Sequence, residues 1–109
     1  MITLDKLYER DKGICQLCLK PVPRQHGTRP DSPTRDHIVA RGRGGSNASS
    51  NLQLAHRICN EFRGHQPKNR AIDALTAPDA MSRIRRHFRS SKRSAVAVRT
   101  QTWAQMSAA

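Results

Sequence analysis

Leu52-Gln53-Leu54-Ala55-His56-Arg57-Ile58-Cys59-Asn60-Glu61-Phe62-Arg63-Gly64 changes its repeat part-way along. Leu52 and Leu54 alternate with Gln53, the two-residue period of a short strand, whereas His56 to Gly64 fits a helix ended by glycine. Upstream, Thr34 to Ala40 also reads as a strand, because Ile38 and Val39 favour one, and it carries Asp36 and His37 to a sheet edge. Gly and Ser crowd Arg41 to Ser50, which makes that stretch a wide loop. The local order is strand, loop, strand, helix, and the predicted class is α+β.

Working outward, Leu4 to Arg10 predicts a short N-terminal helix with Leu4, Leu7 and Tyr8 on one side and Gly13 at its end. Five positions between Lys20 and Pro33 (Pro21, Pro23, Gly27, Pro30 and Pro33) block regular structure and imply an irregular connection. Past the central helix, Pro78-Asp79 is a favourable first-turn pair for a second helix, in which Met81, Ile84 and Phe88 share a face. Beyond Ser90 the chain reads as a mobile tail in which Val96, Val98 and Trp103 are the only candidates for docking. These boundaries divide the chain into residues 1–76, with a core over 4–64, and a basic helix and tail over 77–109.

With 109 residues, one Trp, one Tyr and two Phe, the chain has the material for one domain with a thin core. Such a domain needs a staple, and the cysteines supply the means. Cys15 and Cys18 stand two residues apart, as do His56 and Cys59, and each spacing lets a short turn or a first helical turn aim two ligands at one ion. The four form a closed tetrahedral set for structural Zn²⁺, with His65 as a reserve fourth ligand. The bland alternative is three buried reduced cysteines and a surface histidine. An odd number of cysteines, with no signal-peptide pattern at the N-terminus, predicts a reducing compartment, the cytoplasm. No apolar run reaches transmembrane length, and the expected partners do not include a membrane-spanning environment.

A formal net charge of +12 points to a polyanion; nucleic acid is the leading candidate and an acidic membrane surface a weaker one. The charge is concentrated at the back. From Ala80 onward come Arg83, Arg85, Arg86, Arg89, Lys92, Arg93 and Arg99, with no Asp or Glu. Phosphate contact is one reading of these residues, and a merely solvated helix face is the other.

The ordered set Cys15-Gln16-Leu17-Cys18, Arg35-Asp36-His37-Ile38-Val39, Gly44-Gly45, Asn51-Leu52-Gln53-Leu54 and His56-Arg57-Ile58-Cys59-Asn60 resembles the HNH endonucleases with their ββα-metal fold. The resemblance covers roughly Leu4 to Gly64. Small size and basicity are similar to stand-alone HNH proteins of bacteriophages and bacteria, often encoded near packaging genes. That likeness implies DNA as substrate, a terminase or other packaging protein as a partner, and the cytoplasm of a bacterial or phage-infected cell.

The resemblance further implies a one-metal hydrolysis of phosphodiesters that leaves a 5′-phosphate and a 3′-hydroxyl. His37 is then the general base for water. Asp36 holds a divalent ion, on the opposite side of the strand from His37 by the alternation of strand side chains. Asn60 supplies the second protein ligand through its amide oxygen, where many family members have histidine, and Glu61 is a less favoured substitute. One carboxylate and one amide oxygen suit Mg²⁺ or Mn²⁺. Asn51 ties the loop to the strand that bears the base. Arg35, Arg41 and Arg43 flank the site and are candidates for phosphate contacts. The family often has Pro where Ala40 stands, a change read as tolerable.

Overall fold

Two antiparallel strands, β1 (Pro33–His37) and β2 (Leu52–His56), pair from Pro33 opposite His56 to His37 opposite Leu52. The computed structural model describes residues 1–89. Expectations for the tail, with Lys92, Arg93, Arg99, Val96, Val98 and Trp103, lie outside the described residues. Among the described residues four α-helices accompany the sheet: α1 (Leu4–Arg10), α2 (Arg57–Arg63), α3 (Lys68–Leu75) and α4 (Ala80–Arg89).

The first strand is displaced from its predicted position. It begins at Pro33, which was expected to lie in the irregular loop, and it stops at His37, leaving Ile38 and Val39 in a bend. The partner sets this limit. Opposite Ile38 the chain has left β2 for a 3₁₀ turn, Ser49–Asn51, and the last rung is Ile38 N donating to Asn51 O at 2.8 Å. A second 3₁₀ turn, Arg41–Arg43, interrupts the loop after Ala40.

All five residues of β2 are buried. A strand with its second edge unpaired would leave buried backbone groups without partners, and residues from the N-terminal segment supply them. Asp11 Oδ2 accepts from Leu54 N at 2.8 Å, Gln16 N donates to Leu54 O at 2.8 Å, and Arg10 donates to Leu52 O and Ser49 O. Thr3 caps α1 by accepting from Lys6 N. Leu7 is fully buried, and Tyr8 donates its hydroxyl to Val22 O at 2.7 Å, so this helix packs on the Cys15 to Val22 segment as its apolar side predicts.

The strand leads into α2 without a connecting loop, with His56 as the N-cap and Gly64 as the C-cap. Lys68–Leu75 was not expected as a helix, and its Ala71 and Leu75 are buried. The basic helix α4 packs into the same hydrophobic cluster, where Ile84 and Phe88 join Cys59, Phe62, Ala71 and Leu75. Met81 is only half-buried. No helix among the described residues is long and apolar enough to cross a membrane.

Candidate metal centres and active site

The zinc frame is assembled from two local turns. Cys15 and Cys18 lie on a knuckle in which Leu19 N donates to Cys15 O, Cys15 N donates to Lys20 O, and Leu19 takes a positive φ of 66°. Backbone amides of Cys18 and His56 both donate to Cys15 Sγ at 3.4 Å. His56 closes β2 and Cys59 lies one turn into α2, so a strand end and a first helical turn provide the second pair of ligands.

Ligand atoms of Cys15, Cys18, His56 and Cys59 all lie within 4.8 Å of one another, and all four residues are buried. The imidazole orientation is fixed: Nδ1 faces Cys18 Sγ at 3.3 Å and Cys59 Sγ at 3.7 Å, while Nε2 donates to Pro21 O at 2.9 Å. A ligand histidine characteristically has its second nitrogen committed in this way. Electrostatics favour a cation here. Burial works against charge on Cys15, yet hydrogen bonds from Cys18, Cys59 and His56 outweigh it and hold the thiol well below its ordinary range. For His56, burial is overcome by the Cys15 and Cys18 sulfurs, which push the imidazole up to about 10. Burial, with Cys15 and Cys18 beside it, pushes the Cys59 thiol well up. Three sulfurs and one nitrogen in a buried cluster are the donor set of a tetrahedral Zn²⁺ site. His65 is not part of this frame.

Asn60, which follows Cys59 of the frame in sequence, borders a cavity of about 200 Å³ together with Asp36, His37, Ala40, Arg41, Gly64 and His65. Asp36 and His37, successive residues at the end of β1, both border this one cavity. Asp36 and Gln53 are cross-strand partners, and Gln53 Nε2 donates to Asp36 Oδ2 at 2.7 Å. Arg63 Nη1 donates to the same oxygen at 2.7 Å from a side chain that is 2% exposed. Oδ1 is therefore the carboxylate oxygen left for a cation. Asn60 Nδ2 donates to Thr34 Oγ1 and Arg35 O, both at 3.3 Å, which turns the amide oxygen away from the strand. An anionic and a neutral oxygen donor bordering one cavity suit a hard divalent ion. Glu61 instead pairs with Arg57 at 3.2 Å.

Residues 15–66 match the family model described as HNH endonuclease. This segment is an HNH domain. No curated protein matches the chain. The small α+β architecture, with its two-stranded antiparallel sheet, four helices and Cys/His cluster, is consistent with the HNH fold.

In the HNH domain the loop between the strands is fastened to the strand end. Asn51 Oδ1 accepts from Val39 N at 2.9 Å, and its Nδ2 donates to Val39 O at 3.1 Å and Ser46 O at 2.8 Å. Gly45 packs so closely that a Cβ there would lie 1.7 Å from Val39 O, which no side chain can accommodate. Ala40 has φ −58°, close to the angle a proline there would fix.

Three residues that the sequence reading did not single out also act on the HNH site. Asn47 Oδ1 bonds His37 Nε2 at 2.8 Å, which leaves Nδ1 as the ring's proton acceptor. Gln53 holds Asp36 across the ladder, at the cost of a buried Oε1 that has no hydrogen-bond partner. Arg63 bonds Asp36, His37 O, Ile38 O and Gln66 O together. Each would have been visible only as an Asn in a Gly-Ser loop, a polar residue between two leucines, and a cation ahead of a helix-ending glycine. Burial keeps the Asp36 carboxyl above its ordinary range, despite Gln53 and Arg63, which lower it.

The candidate DNA-binding arginines divide by location. Arg41 borders the cavity and is exposed; Arg43 is exposed, with Nε donating to His65 O at 2.9 Å. Arg35 is half-buried on β1. On α4, Arg83 and Arg86 are exposed, Arg85 is half-buried, and Arg83 pairs with Asp79 at 3.0 Å. The side chain of Arg89 lies outside the described residues. A larger cavity of about 310 Å³, lined by Pro23, Gln25, His26, Arg29, Asp31 and Ser32, also carries a carboxylate and an imidazole, but Asp31 pairs with Arg29 at 3.3 Å and His26 bonds Asp5 at 2.8 Å.

Proposed function

We propose that the HNH domain hydrolyses DNA phosphodiesters with one divalent ion, Mg²⁺ or Mn²⁺. The observation that carries this reading is the convergence of Asp36, His37 and Asn60 on one cavity, with Asn60 next in sequence to Cys59 of the Cys/His frame. Asp36 Oδ1 and Asn60 Oδ1 would hold the ion, which supplies positive charge to the phosphate and to the departing oxygen when bound. His37 Nδ1 takes the proton from water while Asn47 holds the opposite ring nitrogen. The water oxygen bonds to phosphorus and the bond from phosphorus to the 3′-oxygen breaks, leaving a 5′-phosphate and, after protonation from solvent, a 3′-hydroxyl.

Arg41, and the exposed arginines of α4, give the DNA backbone a cationic surface, in keeping with the net charge of +12. Contacts of this kind position DNA without reading its sequence. The narrower setting of this proposal is a phage or bacterial cytoplasm, with a terminase as partner, tested by whether added terminase changes the cleavage rate. Plasmid nicking with added Mg²⁺ or Mn²⁺ tests the reading itself. Wild type is expected to nick, and His37→Ala to lose at least about a hundredfold in rate with zinc content unchanged. A protein that binds DNA with a steep salt dependence but never cuts it with either ion would instead be a zinc-stapled binding module.

A further inference from the structure

Resting on that nuclease reading, we propose that His65 is a third protein ligand of the divalent ion in the cavity. The sequence placed this histidine near the zinc cysteines, but the fold directs it elsewhere. Gly64 ends α2 at φ 54° and ψ −124°, a conformation L side chains rarely adopt, and a Cβ there would meet nothing within 4 Å. Conformation, not space, is what calls for glycine at this point. The reversal brings His65 onto the border of the cavity shared by Asp36, His37 and Asn60.

His65 is then held from both sides. Arg43 Nε donates to its carbonyl at 2.9 Å, and Arg63 Nε donates to the carbonyl of the next residue, Gln66, at 3.0 Å. Its ring lies against Gly42, where a Cβ would come within 3.0 Å of His65 Cε1 and Nδ1. Arg63 thus fixes the Asp36 carboxylate with one nitrogen and the segment carrying His65 with another. Asp36 and Asn60 offer one oxygen each, a sparse donor set for a divalent ion. An imidazole added to them makes a mixed oxygen and nitrogen site, which favours Mn²⁺ over Mg²⁺.

The test uses the full-length, zinc-loaded His37→Ala protein, so that a duplex oligonucleotide can be present uncut, with Mn²⁺ titrated by electron paramagnetic resonance. His65→Ala is expected to weaken Mn²⁺ binding by about tenfold, as loss of a metal-site residue does. It should also abolish nitrogen hyperfine coupling to the bound ion and change Mg²⁺ competition by only about threefold. Zinc content and circular dichroism monitor the fold of each variant. If His65→Ala binds Mn²⁺ as tightly as its parent while Asp36→Asn does not bind, the role of His65 is wrong and the nuclease reading stands. If neither Asp36→Asn nor Asn60→Ala weakens Mn²⁺ binding, the cavity is not the ion site and both fall together.

Discussion

Arg63→Met would remove a guanidinium that is 2% exposed and bonded to a carboxylate that is 4% exposed. The substitution keeps most of the side-chain volume, so packing changes little and electrostatics dominate. Asp36 would keep only the Gln53 amide, and the carbonyls of His37, Ile38 and Gln66 would each lose a donor. Stripping one partner from a buried ion pair costs about 3–5 kcal/mol. That is a large share of the roughly 5–15 kcal/mol that holds a small domain together. Urea denaturation of zinc-loaded protein should therefore show a much lower midpoint with little change in slope. A double-mutant cycle isolates the pair, because Asp36→Asn removes the charge that Arg63→Met leaves stranded. The double variant should be more stable than the sum of the single losses by about 2 kcal/mol. Additivity within about 0.5 kcal/mol would refute the claim that Arg63 stabilises through Asp36.

Zinc removal by a strong chelator should abolish the cooperative unfolding transition, because the metal contributes folding free energy directly; a chelated protein with native circular dichroism and no zinc would contradict this. Asp36 has a carboxyl raised by burial, so its folded form binds a proton more tightly than the unfolded chain does. Its contribution to stability is complete below the ordinary carboxylate pKa and is lost as pH rises through the raised value, so Asp36→Asn should flatten that part of the stability profile measured without added divalent ion. Asn47→Ala should lower the nicking rate by about ten- to a hundredfold while leaving zinc content unchanged, since it frees the His37 ring to choose its tautomer. An unchanged rate would remove Asn47 from the site.

The parts of the molecule written as local pattern were legible in the sequence. The alternation of Leu52 and Leu54, the glycine after Arg63 and the paired two-residue ligand spacings each correspond to an element or a turn that those residues form by themselves. Position of β1 was less legible, because Ile38 and Val39 favour extended backbone wherever they occur, whereas the strand's extent is decided by where its partner stops. The helix α3 has a polar sequence in which only Ala71 and Leu75 are buried, and its presence depends on packing against α2 and α4. His65, the reserve fourth zinc ligand in the sequence, borders the other cavity after the chain turns at Gly64 with a φ of 54°, a reversal that no spacing pattern announces. Arg63, Gln53 and Asn47 act through partners 27, 17 and 10 residues away, and no local repeat records such distances.

The loop between the strands has the Gly and Ser composition of a flexible linker, yet it is fastened repeatedly along its length. Asn51 holds Val39 and Ser46, Asn47 holds His37, Gly45 lies on Val39 O, Arg43 holds His65, and Arg10 holds Ser49. Its conformational entropy is surrendered when the chain folds, not when DNA arrives. On the proposed function a duplex would meet a loop already in shape, and the free energy of that encounter would be spared the ordering of its backbone. A thin-cored protein can thus keep a rigid rim around its chemistry using short polar side chains in place of a larger hydrophobic interior.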